Sequence, residues 1–211
     1  MGCVLFDLDG TLLDTLEDLT DAVNYALREF SYPERSLSEV RRFVGNGAEQ
    51  LIRRATGQGD NWQAVLAAFR GYYAQHCRDK TRPYEGVVEA LAQIGEKYPV
   101  AIVSNKPDSA VKALCADFFP GVYARGESSD CPRKPAPDMV RMTLEALGED
   151  TCVYIGDSEV DVATARNAGA VCLCVLWGFR DRAVLEAAGG VHFCQTPQQL
   201  PELVQKLTAI I

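Results

Sequence analysis

The sequence predicts a doubly wound α/β domain that carries a small all-helical insert after its first strand. Three observations lead there. Short, almost continuously apolar runs recur at residues 3–6, 100–103, 152–155 and 171–175, as expected of strands covered on both faces of a parallel sheet. Helix-spaced apolar stripes separate them, as helices laid on such a sheet require. Between about residues 15 and 82, the strand signal stops and only helical pattern remains.

The first run, Cys3-Val4-Leu5-Phe6, gives way to the polar turn Asp7-Leu8-Asp9-Gly10-Thr11. In the insert, Leu16, Leu19, Val23, Ala26, Leu27 and Phe30 form one amphipathic stripe, and Trp62, Val65, Leu66, Phe69 and Tyr73 another. Between them Ser36-Leu37-Ser38-Glu39 has the capping-box form and predicts a helix start. Gly45-Asn46-Gly47 predicts a tight loop opening a helix over 47–54, with free N–H groups available to an anion. Gln58-Gly59-Asp60-Asn61 reads as a turn. Hinges are expected near residues 14–16 and 81–84, dividing the chain into a core (1–14 and 83–211) and a cap (15–82). Beyond the insert, Val87, Leu91, Ile94 and Tyr98 predict a helix before the strand at 100–103. Val140, Leu144 and Leu147 predict another before 152–155, and Leu200, Leu203, Val204 and Leu207 a final docked helix.

A chain of 211 residues is long enough for one α/β core and a small second module. It is 47% hydrophobic and 24% charged, the usage of an ordinary globular protein. The 29 acidic residues outnumber 21 basic ones, giving a net charge of −8 and a pI near 4.8. That field repels nucleic acid and anionic lipid, so neither is expected as a partner. It leaves room for a small anionic substrate, because a metal or a local donor cluster can outweigh it. The N-terminus lacks a basic segment, and no apolar stretch approaches a membrane span, so a cytoplasmic protein is expected. Of eight cysteines, Cys3, Cys152, Cys172 and Cys174 lie inside apolar runs, and no C-x-x-C occurs. Reduced, packed thiols are expected.

Ligands of open parallel sheets bind beyond the carboxyl ends of the strands. The polar residues following each run are therefore the informative ones: Asp7 and Asp9, then Ser104-Asn105-Lys106, then Gly156-Asp157-Ser158 with Asp161. Lys134-Pro135 lies in a long loop before another helix. A carboxylate attacking a phosphoryl dianion meets like-charge repulsion, so the site needs compensating positive charge. Mg²⁺ on Asp7 and Asp157, with the Lys134 ammonium, would supply it. Asp9 would protonate the leaving alkoxide and later deprotonate the attacking water.

Asp7-Leu8-Asp9-Gly10-Thr11-Leu12, Ser104-Asn105, Lys134-Pro135 and Gly156-Asp157-Ser158-x-x-Asp161 resemble, in order, the four motifs of the haloacid dehalogenase superfamily. The resemblance implies a Rossmann-like core with a mobile helical cap after the first motif, Mg²⁺ and an aspartyl-phosphate intermediate. By position, it implies Asp7 as nucleophile and metal ligand and Asp9 as acid and base, with its backbone carbonyl on the metal. Ser104, Asn105 and Lys134 would hold the phosphoryl group, Asp157 the metal, and Asp161 would stand one layer behind it. Residues 44–52 are similar to the cap motif of phosphoglycolate phosphatases, which makes Asn46 and Gly47 candidate substrate contacts and 2-phosphoglycolate the favoured ester. Arg42, Arg53 and Arg54 read as a solvated face rather than a carboxylate clamp. Trp177-Gly178-Phe179-Arg180 resembles a family loop, although core packing explains its aromatics equally well. Pyrophosphate, nucleoside monophosphates, sugar phosphates and phosphomutase chemistry stand as alternatives, and a catalytically idle binding protein is the alternative of a different class.

Overall fold

The computed structural model describes residues 2–211. Strand β1 (Cys3–Phe6) leads into β2 (Leu13–Asp14) and four helices, α1 (Leu16–Glu29), α2 (Leu37–Phe43), α3 (Gly47–Ala55) and α4 (Trp62–His76). The chain returns through β3 (Arg82–Pro83) to α5 (Val87–Gly95), β4 (Val100–Pro107), α6 (Asp108–Phe118) and β5 (Tyr123–Glu127). It then alternates through α7 (Asp138–Leu147), β6 (Cys152–Gly156), α8 (Glu159–Ala168), β7 (Val171–Val175), α9 (Arg182–Ala187), β8 (His192–Cys194) and α10 (Leu200–Thr208).

Six strands form one parallel sheet in the order β5-β4-β1-β6-β7-β8, with helices on both faces. The apolar runs divide between those faces by the period of two. Cys3, Leu5, Ala101, Val103, Cys152 and Tyr154 pack with Met139 and Val140 of α7 and Ala165 of α8. Val4, Phe6, Ile102, Val153 and Ile155 join the larger core that takes in α5 and α10. β1 lies at the centre, paired with β4 and β6, so its carboxyl end falls where flanking loops converge. No helix of the described residues is long and apolar enough to cross a membrane. All eight cysteines are free, six of them buried, as a reduced and packed set should be.

β2 and β3 pair antiparallel, Leu13 with Pro83 and Asp14 with Arg82, closing the base of the helical segment with a two-residue ribbon. At its entry, Asp18 of α1 accepts from the backbone N–H groups of Lys80 and Thr81 and from the Thr81 hydroxyl. α2 starts on the capping box: the Ser36 hydroxyl accepts from Glu39 N, while the Glu39 carboxylate accepts from Ser36 N.

Several elements lie outside the pattern read from sequence. β4 runs on to Pro107, so Ser104, Asn105 and Lys106 belong to the end of the strand rather than to a loop beyond it. β5 is Tyr-Ala-Arg-Gly-Glu, half-buried at the sheet edge, and β8 has three residues at the opposite edge. Neither is apolar enough to announce itself, because an edge strand gets its order from pairing with a neighbour.

Candidate active site

The carboxyl end of β1 carries Asp7, whose Oδ1 accepts from Leu8 N at 2.8 Å. Gly10 turns the chain at φ +83°, and a Cβ there would fall on the Asp157 carboxylate, so the position requires glycine sterically as well as conformationally. The Asp9 Oδ1 atom accepts from the Thr15 hydroxyl at 2.6 Å and pairs with Lys106 Nζ at 3.0 Å.

Lys134 is fully buried, and its ammonium lies 2.8 Å from Asp7 Oδ1, 2.8 Å from Asp161 Oδ1 and 2.9 Å from the Tyr154 hydroxyl. Burial alone would lower its pKa, but Asp161 and Asp7 outweigh that and hold the ammonium charged. Its loop is fixed by Asn105, whose Oδ1 accepts from Lys134 N while its Nδ2 donates to Lys134 O. The same Nδ2 donates to Gly45 O, so the Asn105 amide is taken up by backbone on both sides. Ser104 is buried beside it, its hydroxyl accepting from Lys106 N.

After β6, Asp157 accepts from the Thr11 hydroxyl at 3.1 Å and from Phe179 N at 2.7 Å. Asp161, one turn into α8, accepts from Ser158 N and from the Ser158 hydroxyl, capping its own helix, while its other oxygen meets Lys134. Carboxylate oxygens of Asp7, Asp157 and Asp161 all lie within 4.8 Å of one another. Burial first, and then the Asp161 charge, push Asp157 up to about 7 and Asp7 well above the usual carboxylate range. Three buried carboxylates facing one lysine leave negative charge uncompensated. The donor set consists of hard oxygens with no histidine or thiolate among them, so these residues fit a divalent cation such as Mg²⁺.

The helical segment and the sheet border a partly open cavity of about 50 Å³ over this site. Leu19, Leu51, Phe69 and Tyr73 line it from the cap helices, Val44 and Gly45 from the loop before α3, and Gly47 and Ala48 from the first turn of α3. That loop is held from the core at three successive carbonyls. Arg180 Nη2 donates to Val44 O (2.7 Å), Asn105 Nδ2 to Gly45 O (3.1 Å) and Arg133 Nη1 to Asn46 O (3.2 Å). Gly47 thus borders the cavity, whereas the Asn46 side chain accepts from Arg54 Nη2 and does not line it. Arg54 also donates to Phe43 O, and Arg53 pairs with Glu49 and lies over Trp62, so both arginines have cap partners. The loop after β7 holds the site as well as packing: Trp177 Nε1 donates to Thr11 O, and Arg180 pairs with Glu159.

Lys106 and Tyr73 also border the cavity, and the motif reading passes over their contact. Tyr73 carries only the signal of a core aromatic on an amphipathic helix, and nothing local pairs it with a strand residue beyond the insert. In the fold its hydroxyl lies 2.6 Å from Lys106 Nζ. The hint available in sequence was the lysine directly after Ser104-Asn105, too polar for the interior of a buried strand unless it meets a partner there.

Residues 4–175 match the family model described as haloacid dehalogenase-like hydrolase. A phosphoglycolate phosphatase of Cereibacter sphaeroides is 33% identical over 219 residues, spanning 99% of this chain and 100% of that one. Phosphoglycolate phosphatase 1 of Pseudomonas aeruginosa is 34% identical, spanning 88% and 73%. A solved structure from Lactobacillus delbrueckii subsp. bulgaricus, assigned provisionally as a phosphoglycolate phosphatase, superposes with a TM-score of 0.90 at 36% identity, covering 96% of this chain and 97% of that one.

Proposed function

Since the chain belongs to the haloacid dehalogenase-like hydrolase family and is a phosphatase, we propose that it hydrolyses 2-phosphoglycolate through a phosphorylated Asp7, with Mg²⁺ bound. The observation that carries this reading is the meeting of Asp7, Asp9, Lys134 and Asp157 at the carboxyl ends of the central strands, with Lys134 Nζ 2.8 Å from Asp7. Asp7, Asp157 and the backbone carbonyl of Asp9 would hold the metal, which would draw charge from the phosphoryl oxygens and keep Asp7 ionised.

Asp7 attacks phosphorus while the bond to the leaving oxygen breaks, and protonated Asp9 gives its proton to that oxygen. Asp9 then takes a proton from water, which attacks the aspartyl phosphate, releasing phosphate and restoring Asp7. Lys134 offsets the charge gathered at phosphorus, with Ser104 beside it. Asp161 keeps the lysine in place without joining the reaction. Thr15 and Lys106 fix the carboxylate of Asp9. The cap excludes water around the transfer step.

The choice of ester rests on size and on the relatives named above. A cavity of about 50 Å³ is small, which favours a small ester over a nucleoside. With purified protein and Mg²⁺, kcat/KM is expected to be higher for 2-phosphoglycolate than for pyrophosphate, AMP or glucose 6-phosphate. A flat profile, or a preference for pyrophosphate, removes the substrate assignment. Label trapped on a residue other than Asp7 removes the mechanism.

A further inference from the structure

We propose that Lys106 anchors an anionic group on the leaving half of the ester and thereby sets which phosphate esters the site accepts. The inference rests on the reading of Asp9 as the acid facing the leaving oxygen.

Lys106 stands at the end of β4 with its side chain only 3% exposed, bordering the cavity. An ammonium at such a depth is costly unless it is paired. Its Nζ lies 3.0 Å from Asp9 Oδ1 and 2.6 Å from the Tyr73 hydroxyl. A lysine ammonium has three donors, and beyond these two contacts no acceptor for the third occurs among the described residues.

Among the described residues, Arg180 is the other cation that lines the cavity, with Lys134 behind Asp7, and neither is available to the leaving group. Lys134 is held between Asp7 and Asp161, on the phosphoryl side. The Arg180 guanidinium is taken up by Glu159 and by the carbonyls of Arg41 and Val44. The side chains on the cap side, Leu19, Val44, Leu51 and Phe69 among them, carry no charge. Beside the N–H groups at the start of α3, Lys106 is the charged donor that a ligand anion under that wall meets, in surroundings where a charge-assisted hydrogen bond is strong.

The reach is right. Thr15 and Lys106 both contact Asp9 Oδ1, so with Oδ2 on the leaving oxygen, Lys106 Nζ lies at most about 8 Å from it, two hydrogen-bond lengths in series across the carboxylate. A carboxylate one carbon from the ester oxygen falls inside that radius, and a neutral alkyl group there finds nothing to replace it. Because Tyr73 belongs to α4, the anchor is complete only while the cap is seated.

The experiment compares kcat/KM for 2-phosphoglycolate with that for ethyl phosphate, a similarly small ester lacking the carboxylate. Any harm done through Asp9 falls on both esters and cancels in the ratio. Lys106→Met is expected to lower the ratio by about 10- to 100-fold, the worth of one hydrogen bond to a charged group, chiefly through KM for 2-phosphoglycolate. Lys106→Gln, which keeps donors without the charge, is the second variant should the first fail to fold, with the same fall expected. Tyr73→Phe should lower the ratio in the same direction by less. A variant that keeps the wild-type ratio overturns the inference and reduces Lys106 to a positioning residue for Asp9, leaving 2-phosphoglycolate as substrate intact. A wild-type enzyme with no preference for the anionic ester overturns both.

Discussion

Asp7 and Asp157 are carboxylates that folding makes harder to ionise, through burial and the neighbouring Asp161 charge. With their pKa values raised above the ordinary range, the metal-free folded protein binds more protons than the unfolded chain between about pH 4 and 7. Stability of the metal-free protein should therefore fall as pH rises through that window. A divalent cation binds the ionised form, so its stabilising effect should grow in the same direction. We expect a larger Mg²⁺-induced rise in Tm at pH 8 than at pH 5, read by thermal unfolding with EDTA as the blank. An equal rise at both pH values would argue against these carboxylates as the ligands. Activity should vanish with EDTA and return with Mg²⁺. Asp7→Asn should abolish phosphoenzyme formation, whereas Asp9→Asn should slow turnover by about 10²–10⁴-fold and still permit trapping at Asp7.

The turn after β1 shows how a local element builds the site, and Gly57, beyond α3, gives the contrast. Gly10 and Gly57 both hold positive φ, at +83° and +63°, but only Gly10 faces a neighbour that a Cβ would strike. Gly57→Ala should cost about 1–2 kcal/mol from backbone strain alone, with kcat unchanged. Gly10→Ala should cost more in urea unfolding and also weaken Mg²⁺, since it displaces Asp157. If both variants lose only stability, the close approach at Gly10 has no bearing on the metal site. The capping box of α2 carries an independent expectation: Ser36→Ala should lower stability by about 1 kcal/mol, measured by the urea midpoint, without altering activity.

At the scale of the whole molecule, the helical segment between β2 and β3 is joined to the core by a short ribbon, by polar contacts to the 44–46 loop and by apolar residues of one shared cluster. Side-chain donors on backbone carbonyls can be broken and remade at little net cost, because water replaces each partner. With both chain crossings close together in the ribbon, the segment can hinge there as a body. We expect residues 15–82 to shift as a body when a phosphate analogue binds, with a smaller radius of gyration in solution scattering. Arg180→Ala, which frees the carbonyls of Arg41 and Val44, should move the unliganded protein toward the open form and raise KM. Identical scattering with and without the analogue would count against gating.

The sequence by itself determined the fold class and the candidate chemistry. Buried parallel strands must be apolar on both faces, so β1, β4, β6 and β7 are visible as runs. Ligands gather at their carboxyl ends, so the polar residues that follow, Asp7, Asp9, Ser104 and Asp157, point to a site by position along the chain alone. β5 and β8 were not legible in this way, because edge strands depend on a neighbour rather than on their own residues. Tertiary structure alone decided how the polar groups are shared. It commits the Asn105 amide to the Lys134 backbone and Gly45, turns Asn46 toward Arg54, and seats Asp161 as both helix cap and lysine partner. It also brings Tyr73 from the cap onto Lys106 and, through it, beside Asp9. The physical reason is that burial of apolar surface follows a short-range periodic pattern along the chain. Hydrogen bonds and charge pairs are instead satisfied among whichever groups the folded chain brings within about 3 Å of one another.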